Sequence, residues 1–266
     1  MPLREELEKS GNWLFRWRSY LPFLIIPLLL IALPNSECLE RLLGDRGANI
    51  WEGLCLFTSL IGFALRCATI GYAQPGTSGR NTKRQRAKVL NTTGIYSIVR
   101  HPLYLANFMI LLGLASLLGV WWFILICLLM FWLYYERIML AEEEFLRNKF
   151  GASFLDWAEK TPAFWPRFRN WRPPDSTFSL RAVLKGEYST FFAITACSLA
   201  LDTLEDFFGE GKWKIDSFGA TLFLFGLTSY LVLRVLKKRT TVFNEGAVRE
   251  KSRAISQDGP PLLPPA

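Results

Sequence analysis

The sequence predicts an all-α integral membrane protein of about six transmembrane helices, with a short helical hairpin at its centre. Three observations predict it. Hydrophobic residues make up 51% of the chain and its mean hydropathy is +0.20. Those residues fall in long, nearly uncharged runs, which suits helices surrounded by lipid better than one-sided surface helices. Lys and Arg are concentrated in the polar stretches between alternate runs.

Residues 1–18 alternate Trp13, Phe15 and Trp17 with Arg16 and Arg18, as an interfacial segment does. A short first span follows at about 20–34, with Pro22 and Pro27 inside it, then a polar, slightly acidic loop at 35–49. The second span, about 50–73, is interrupted by Arg66, which has to pair, snorkel or face a cavity. Residues 74–100 are basic. Two short spans, about 103–118 and 120–136, are joined at Gly119. At 1.5 Å per residue the first of these reaches only about 24 Å, so a tight hairpin, tilted or shielded by neighbours, is expected. Residues 137–185 are polar and basic and begin with an amphipathic helix at 140–150; fifth and sixth spans lie near 188–206 and 217–236. The Pro-rich end after about 245 has no pattern of a packed element and is expected to be disordered.

With six spans, the four basic segments (the N-terminus, 74–100, 137–185 and 237–253) share one side, and the positive-inside rule makes that side cytoplasmic, with both termini on it. The organisation expected is an N-terminal segment with two spans (1–73), a core (74–167), a linker with two spans (168–240) and a tail (241–266). The membrane is a bacterial inner membrane or the endoplasmic reticulum. The net charge of +8 is accounted for by topology and anionic headgroups, so no nucleic-acid partner is expected. Cys38, Cys55, Cys67, Cys127 and Cys197 form no CxxC pair, and one histidine cannot complete a zinc site, so no metal is expected. The first apolar run has no small-residue cleavage site after it, and no signal peptide is read. Composition does not set the oligomeric state.

The segment GIYSIVRHPLY, Gly94 to Tyr104, holds the chain's one histidine at the entry to the hairpin. Read by themselves, Arg100 and His101 could be interfacial anchors, with Pro102 in a helix's first turn, where its missing N–H costs nothing. After the hairpin come EEEFLRNKFG, Glu142 to Gly151, and TPAFWP, Thr161 to Pro166. Three adjacent carboxylates beside a membrane are either a solvated helix face or part of a site. The stretch PGTSGRNTKRQRAKVL (75–90) is either a basic linker or a loop that covers a ligand; it lacks the P-loop spacing.

Taken together, Gly94, Tyr96, Arg100, His101, Pro102, Tyr104, then Glu142, Glu143, Leu146, Phe150, Gly151, then Thr161, Pro162 and Pro166 resemble the isoprenylcysteine carboxyl methyltransferase and phospholipid methyltransferase family over about residues 80–167. The resemblance implies S-adenosyl-L-methionine as cofactor, in a pocket inside the helical bundle, open to the cytosol, with no Rossmann domain. Carried over by position, its contacts are Lys88, Val89, Leu90, Asn91, Tyr96, His101, Pro102, Leu103, Tyr104 and Glu142. Methyl transfer from a sulfonium needs alignment and exclusion of water more than acid–base help. An anionic acceptor would be gripped by Arg100 or Arg137; an amine acceptor would lose a proton to Glu142 or Glu143. The carboxyl methyltransferases place a substrate arginine where this chain has Ile138, so the acceptor half departs from the pattern. A lipid headgroup such as a phosphate is the favoured acceptor, with a prenyl-cysteine carboxylate and a phospholipid amine open. Two other readings remain: an NADPH-dependent sterol-type reductase, which expects more spans before the pocket, and a non-catalytic membrane scaffold.

Overall fold

The computed structural model describes residues 2–18, 20–74, 87–213 and 215–239. The Gly-rich basic stretch up to residue 86 and the tail from residue 240 lie outside the described residues. Among the described residues all regular structure is helical, apart from one isolated bridge between Gly94 and Arg172.

The helices are α1 (Leu3–Trp17), α2 (Ile25–Ala32), α3 (Glu37–Tyr72), α4 (Pro102–Leu117), α5 (Trp121–Phe150), α6 (Ala152–Lys160), α7 (Leu180–Glu210) and α8 (Ser217–Arg239). Among the described residues three segments are long and apolar enough to cross a membrane: Arg46–Tyr72, Trp121–Phe150 and Ser217–Arg239. The stretches Ile25–Asn35 and Pro102–Leu117 are apolar but shorter. Helix α7 has the length, at 31 residues, but carries charges and hydroxyls along it. Of the six spans expected from the sequence, three meet both criteria.

Two boundaries differ from the sequence reading. The polar loop expected at 35–49 is mostly helix: α3 begins at Glu37 and kinks at Gly44, whose φ is +66°. The segment between is rich in Leu, Glu and Arg, all good helix formers. The span expected at about 120–136 and the amphipathic helix expected at 140–150 are also one element, because α5 runs unbroken from Trp121 to Phe150 with no Pro or Gly inside it. Thirty residues rise about 45 Å, some 15 Å more than a hydrocarbon core. The last turns of α5 therefore stand beyond the lipid and carry Glu142 to Glu144 with them. Gly151, at φ +55°, ends the helix, its N–H bonding Arg147 O at 2.9 Å.

Leu125, Leu129 and Leu133 recur every fourth residue along α5 and are 49%, 54% and 59% exposed, a stripe that suits lipid. Phe123, Cys127 and Phe131 on other faces are buried. Helix α3 packs closely along α4: a Cβ on Gly113 would collide with the Cys55 carbonyl and the Ser59 hydroxyl. Small residues at a seam are how membrane helices approach each other without a hydrophobic drive. At the N-terminus, α1 lies along the polar half of α5, with Gly11 directly against the Arg137 carbonyl and Arg4 paired with Glu144.

Candidate functional site

Two loops and two helix ends build the site. The first loop, 91–101, enters α4; the second, 161–176, returns after α6. They zip together by backbone bonds: Gly94 N to Arg172 O at 3.0 Å, Arg167 N to Ile98 O at 2.9 Å, Arg100 N to Pro162 O at 2.9 Å and His101 N to Ala163 O at 3.2 Å. Ser97 Oγ accepts from Arg172 N at 2.9 Å. The segment TPAFWP thus holds the Arg-His pair in place: its carbonyls take the N–H groups of Arg100 and His101, and Phe164 packs into a cluster with Phe131, Met139, Tyr104 and Tyr135.

His101 precedes α4 and faces the end of α5. Its Nε2 is 3.0 Å from Glu143 Oε1, and its Nδ1 is 3.7 Å from Glu142 Oε2. Tyr104, one turn into α4, donates its hydroxyl to Glu142 Oε2 at 2.8 Å and stacks on the imidazole with ring centroids 5.5 Å apart. Arg100 donates Nη1–H to Ala158 O at 3.1 Å. Its Nε sits 3.1 Å from Glu143 Oε1 but is buried without a well-angled hydrogen bond. Burial opposes the imidazolium of His101, but hydrogen bonds and charge from Glu142 and Glu143 outweigh it and raise the pKa above the usual histidine value. Burial, then the charge of Glu142, raises the Tyr96 phenol well out of reach of ionisation.

Beside these side chains opens a cleft of about 580 Å³, counting its open mouth, whose lining includes all of them but Tyr104. Val89, Leu90, Asn91, Tyr96, Arg100, His101, Glu142 and Glu143 all line it. So do Phe145, Leu146, Phe154 and Trp157, which sequence reasoning did not place there as contacts. Trp157 is fixed by donating Nε1–H to Tyr96 O at 3.1 Å. Phe154 and Trp157 lie three apart on the short amphipathic α6, the one signal that they share an inward face.

The remaining candidates from the sequence lie elsewhere. Pro102 is buried at the first turn of α4, behind the cleft wall, and Leu103 is half-buried outside the lining. Lys88 is exposed, next to lining residues but not among them. Arg137 is exposed on the α1 side of α5, also outside the lining, and the neighbouring Ile138 is fully buried. Among the described residues no three His, Cys, Asp or Glu side chains stand together as a metal site.

Comparison with known proteins decides the family. The chain is 31% identical over 170 residues to the nickel-cobalt-cadmium resistance protein NccN of Alcaligenes xylosoxydans xylosoxydans, an alignment covering 63% of this chain and 72% of the relative. The phospholipid methyltransferase family model matches residues 54–153. The chain belongs to the phospholipid methyltransferase family. It is also similar to the cobalt-zinc-cadmium resistance protein CzcN of Cupriavidus metallidurans, 33% identical over 47% of this chain and 58% of that protein. A protein-S-isoprenylcysteine O-methyltransferase of Schizosaccharomyces pombe is 35% identical over 82 residues, 31% of this chain and 35% of the relative. The match thus spans little more than half of one metal-resistance relative and about a third of the yeast enzyme. No solved structure matches the chain. The family is one of membrane methyltransferases, and among the described residues three helices are long and apolar enough to cross a membrane, which together make the chain an integral membrane protein.

The family match covers α3 from residue 54, the first loop, the α4–α5 hairpin and the turn at Gly151. It therefore includes both sides of the cleft, except for most of α6 and the returning loop. Apolar and aromatic walls beside a carboxylate pair fit a nucleoside that carries a cationic sulfonium: the rings cover a base, the carboxylates take hydroxyl or ammonium protons.

Proposed function

We propose that the protein is an S-adenosyl-L-methionine-dependent methyltransferase whose acceptor is carried by the membrane. The observation that bears most weight is the meeting of His101, at the head of α4, with Glu142 and Glu143, at the end of α5, in one cleft on the polar side of the hairpin, while Tyr104 holds Glu142 from outside the lining. The family match and the yeast isoprenylcysteine methyltransferase point to the same chemistry.

In this reading Val89, Leu90, Phe145 and Leu146 cover the adenine, and Glu142 binds the ribose or the amino group. Lys88, Pro102 and Leu103 act from outside the lining, by shaping the loop and the helix start that carry the contacts. The bound donor supplies an already electrophilic methyl group. This chain's own residues then align and desolvate. Tyr104 and His101 hold the Glu142 and Glu143 carboxylates, and Trp157 and Phe154 exclude water from one side. Arg100 lines the cleft and is the cation placed to hold an anionic acceptor oxygen; Arg137 is exposed and outside the lining.

Ile138, fully buried where the carboxyl methyltransferases have an arginine, favours a lipid headgroup such as a phosphate over a prenyl-cysteine carboxylate. The shorter helices Ile25–Asn35 and Pro102–Leu117, with α7, complete six spans, and both termini lie on the cleft's side, in a bacterial inner membrane or the endoplasmic reticulum. The core spans 74–167. Incubation of the purified protein with radiolabelled methyl donor and total membrane lipid extract tests the proposal. A labelled product that moves as an acidic lipid ester supports it. Label only in protein, or none above a boiled control, contradicts it.

A further inference from the structure

Arg66 lies in the lipid-crossing part of α3, yet its guanidinium is engaged on three sides. Nε and Nη2 donate to Oε2 and Oε1 of Glu187 on α7 at 2.7 and 2.8 Å. Nη1 donates to Oδ1 of Asn107 on α4. The side chains of Arg66 and Glu187 are 14% and 2% exposed. Asn107 then donates Nδ2–H to the Tyr135 hydroxyl on α5 at 3.1 Å. The Tyr135 ring rests on Tyr104, with centroids 4.9 Å apart, and Tyr104 donates to Glu142. One continuous set of contacts therefore starts on α7, crosses α3, α4 and α5, and ends in the cleft.

Stability is a poor reason for such a pair. Burying two charges costs about as much as their attraction returns, and apolar residues of the same volume often serve as well. What a forked guanidinium supplies is direction: its donors are fixed in a plane and match a carboxylate two at a time. Glu187, moreover, comes from outside the stretch that the family model covers. Intramembrane ionisable residues ordinarily mark function.

We infer that Arg66 and Glu187 form a positioning pair through which α7 fixes Glu142 in the donor cleft, by way of Asn107, Tyr135 and Tyr104. The inference rests on the methyltransferase reading of that cleft. Neither residue touches the reacting groups; the pair sets how firmly the donor is held. Helix α7 is then a working part of the site rather than an anchor.

A double-mutant cycle on the full chain in lipid nanodiscs tests this, read as affinity for S-adenosylhomocysteine. Glu187→Gln and Tyr135→Phe are each expected to weaken binding about tenfold, because they let the same carboxylate drift. The double variant is expected to be no weaker than the worse single, since both break one line of contacts. Fold-changes that multiply, or singles with wild-type affinity, overturn the inference. If Glu187→Gln does not fold, Tyr135→Phe decides alone, because it leaves the ion pair intact. If the wild-type protein binds no S-adenosylhomocysteine, the cleft reading fails separately, and the resonance of the single imidazole decides the relay. A His101 titration midpoint displaced in Tyr135→Phe supports it, and an unchanged midpoint overturns it.

Discussion

His101 Nε2 lies 3.0 Å from Glu143 Oε1, although 42 positions separate the two residues. The contact exists because α4 and α5 form a hairpin and α5 outlasts the bilayer by several turns, returning its carboxylates to the head of α4. It joins the two motifs that flank the hairpin into a single site.

Replacing Glu142 by Gln keeps the shape of the side chain and removes its charge. A charged, buried hydrogen bond contributes about 1.5–3 kcal/mol, so methyl transfer by Glu142→Gln is expected to fall by at least about tenfold. Glu143→Gln, which has Arg100 as well as His101 beside it, is expected to lose activity and also to release Arg100. Initial rates at saturating donor and at limiting donor separate the two effects.

The raised pKa of His101 makes stability depend on pH. Its folded-state value lies above the unfolded value of about 6.5, so protonation favours the folded state. The contribution is complete below about pH 6.5 and disappears as pH rises through the folded-state pKa. The melting temperature is therefore expected to decline as pH is raised from about 6.5 into the alkaline range. His101→Gln is expected to flatten that part of the profile; differential scanning fluorimetry in detergent reads both.

The two candidate acceptor arginines are separated by the structure. Arg100 lines the cleft and Arg137 is exposed beside α1. Arg100→Gln is expected to reduce methyl transfer to the lipid acceptor at least about tenfold more than Arg137→Gln, the cost of losing a charge-assisted pair. Steady-state assays with graded acceptor detect it as a raised KM.

Much of this architecture was legible from residue pattern. The hairpin helix expected at about 103–118 occupies Pro102–Leu117, and the last span expected at 217–236 is Ser217–Arg239. Both are apolar runs bounded by a proline, a glycine or a block of charge. The merged α5 was not legible, because charge beginning at Glu136 marks the membrane's edge but does not break a helix. The Arg66–Glu187 pair was not legible either. Arg66 announced a need for a partner, but the partner lies 121 positions away, on a helix where no periodicity points to it. Phe154 and Trp157 reach the cleft only because the Gly151 turn folds α6 back over it.

The α3–α4 seam is a tight packing contact outside the site. Gly113→Val places a Cβ against the Cys55 carbonyl and the Ser59 hydroxyl and adds two methyl groups beyond it. Overpacking of this kind costs about 1–3 kcal/mol, so the variant is expected to melt several degrees lower and to yield less folded protein in detergent. Size-exclusion chromatography with a thermal ramp measures this.

In the proposed reading one cleft between the head of α4 and the end of α5 binds a sulfonium nucleoside. The most direct measurement of that binding is the melting temperature of the purified protein with S-adenosylhomocysteine, with reduced dinucleotide, and with neither. A ligand at about one hundred times its Kd adds about 2.7 kcal/mol to stability. A clear rise is expected with S-adenosylhomocysteine, abolished by Glu142→Gln, and none with the dinucleotide. A rise with the dinucleotide alone, or a rise with S-adenosylhomocysteine that survives Glu142→Gln undiminished, would contradict that reading.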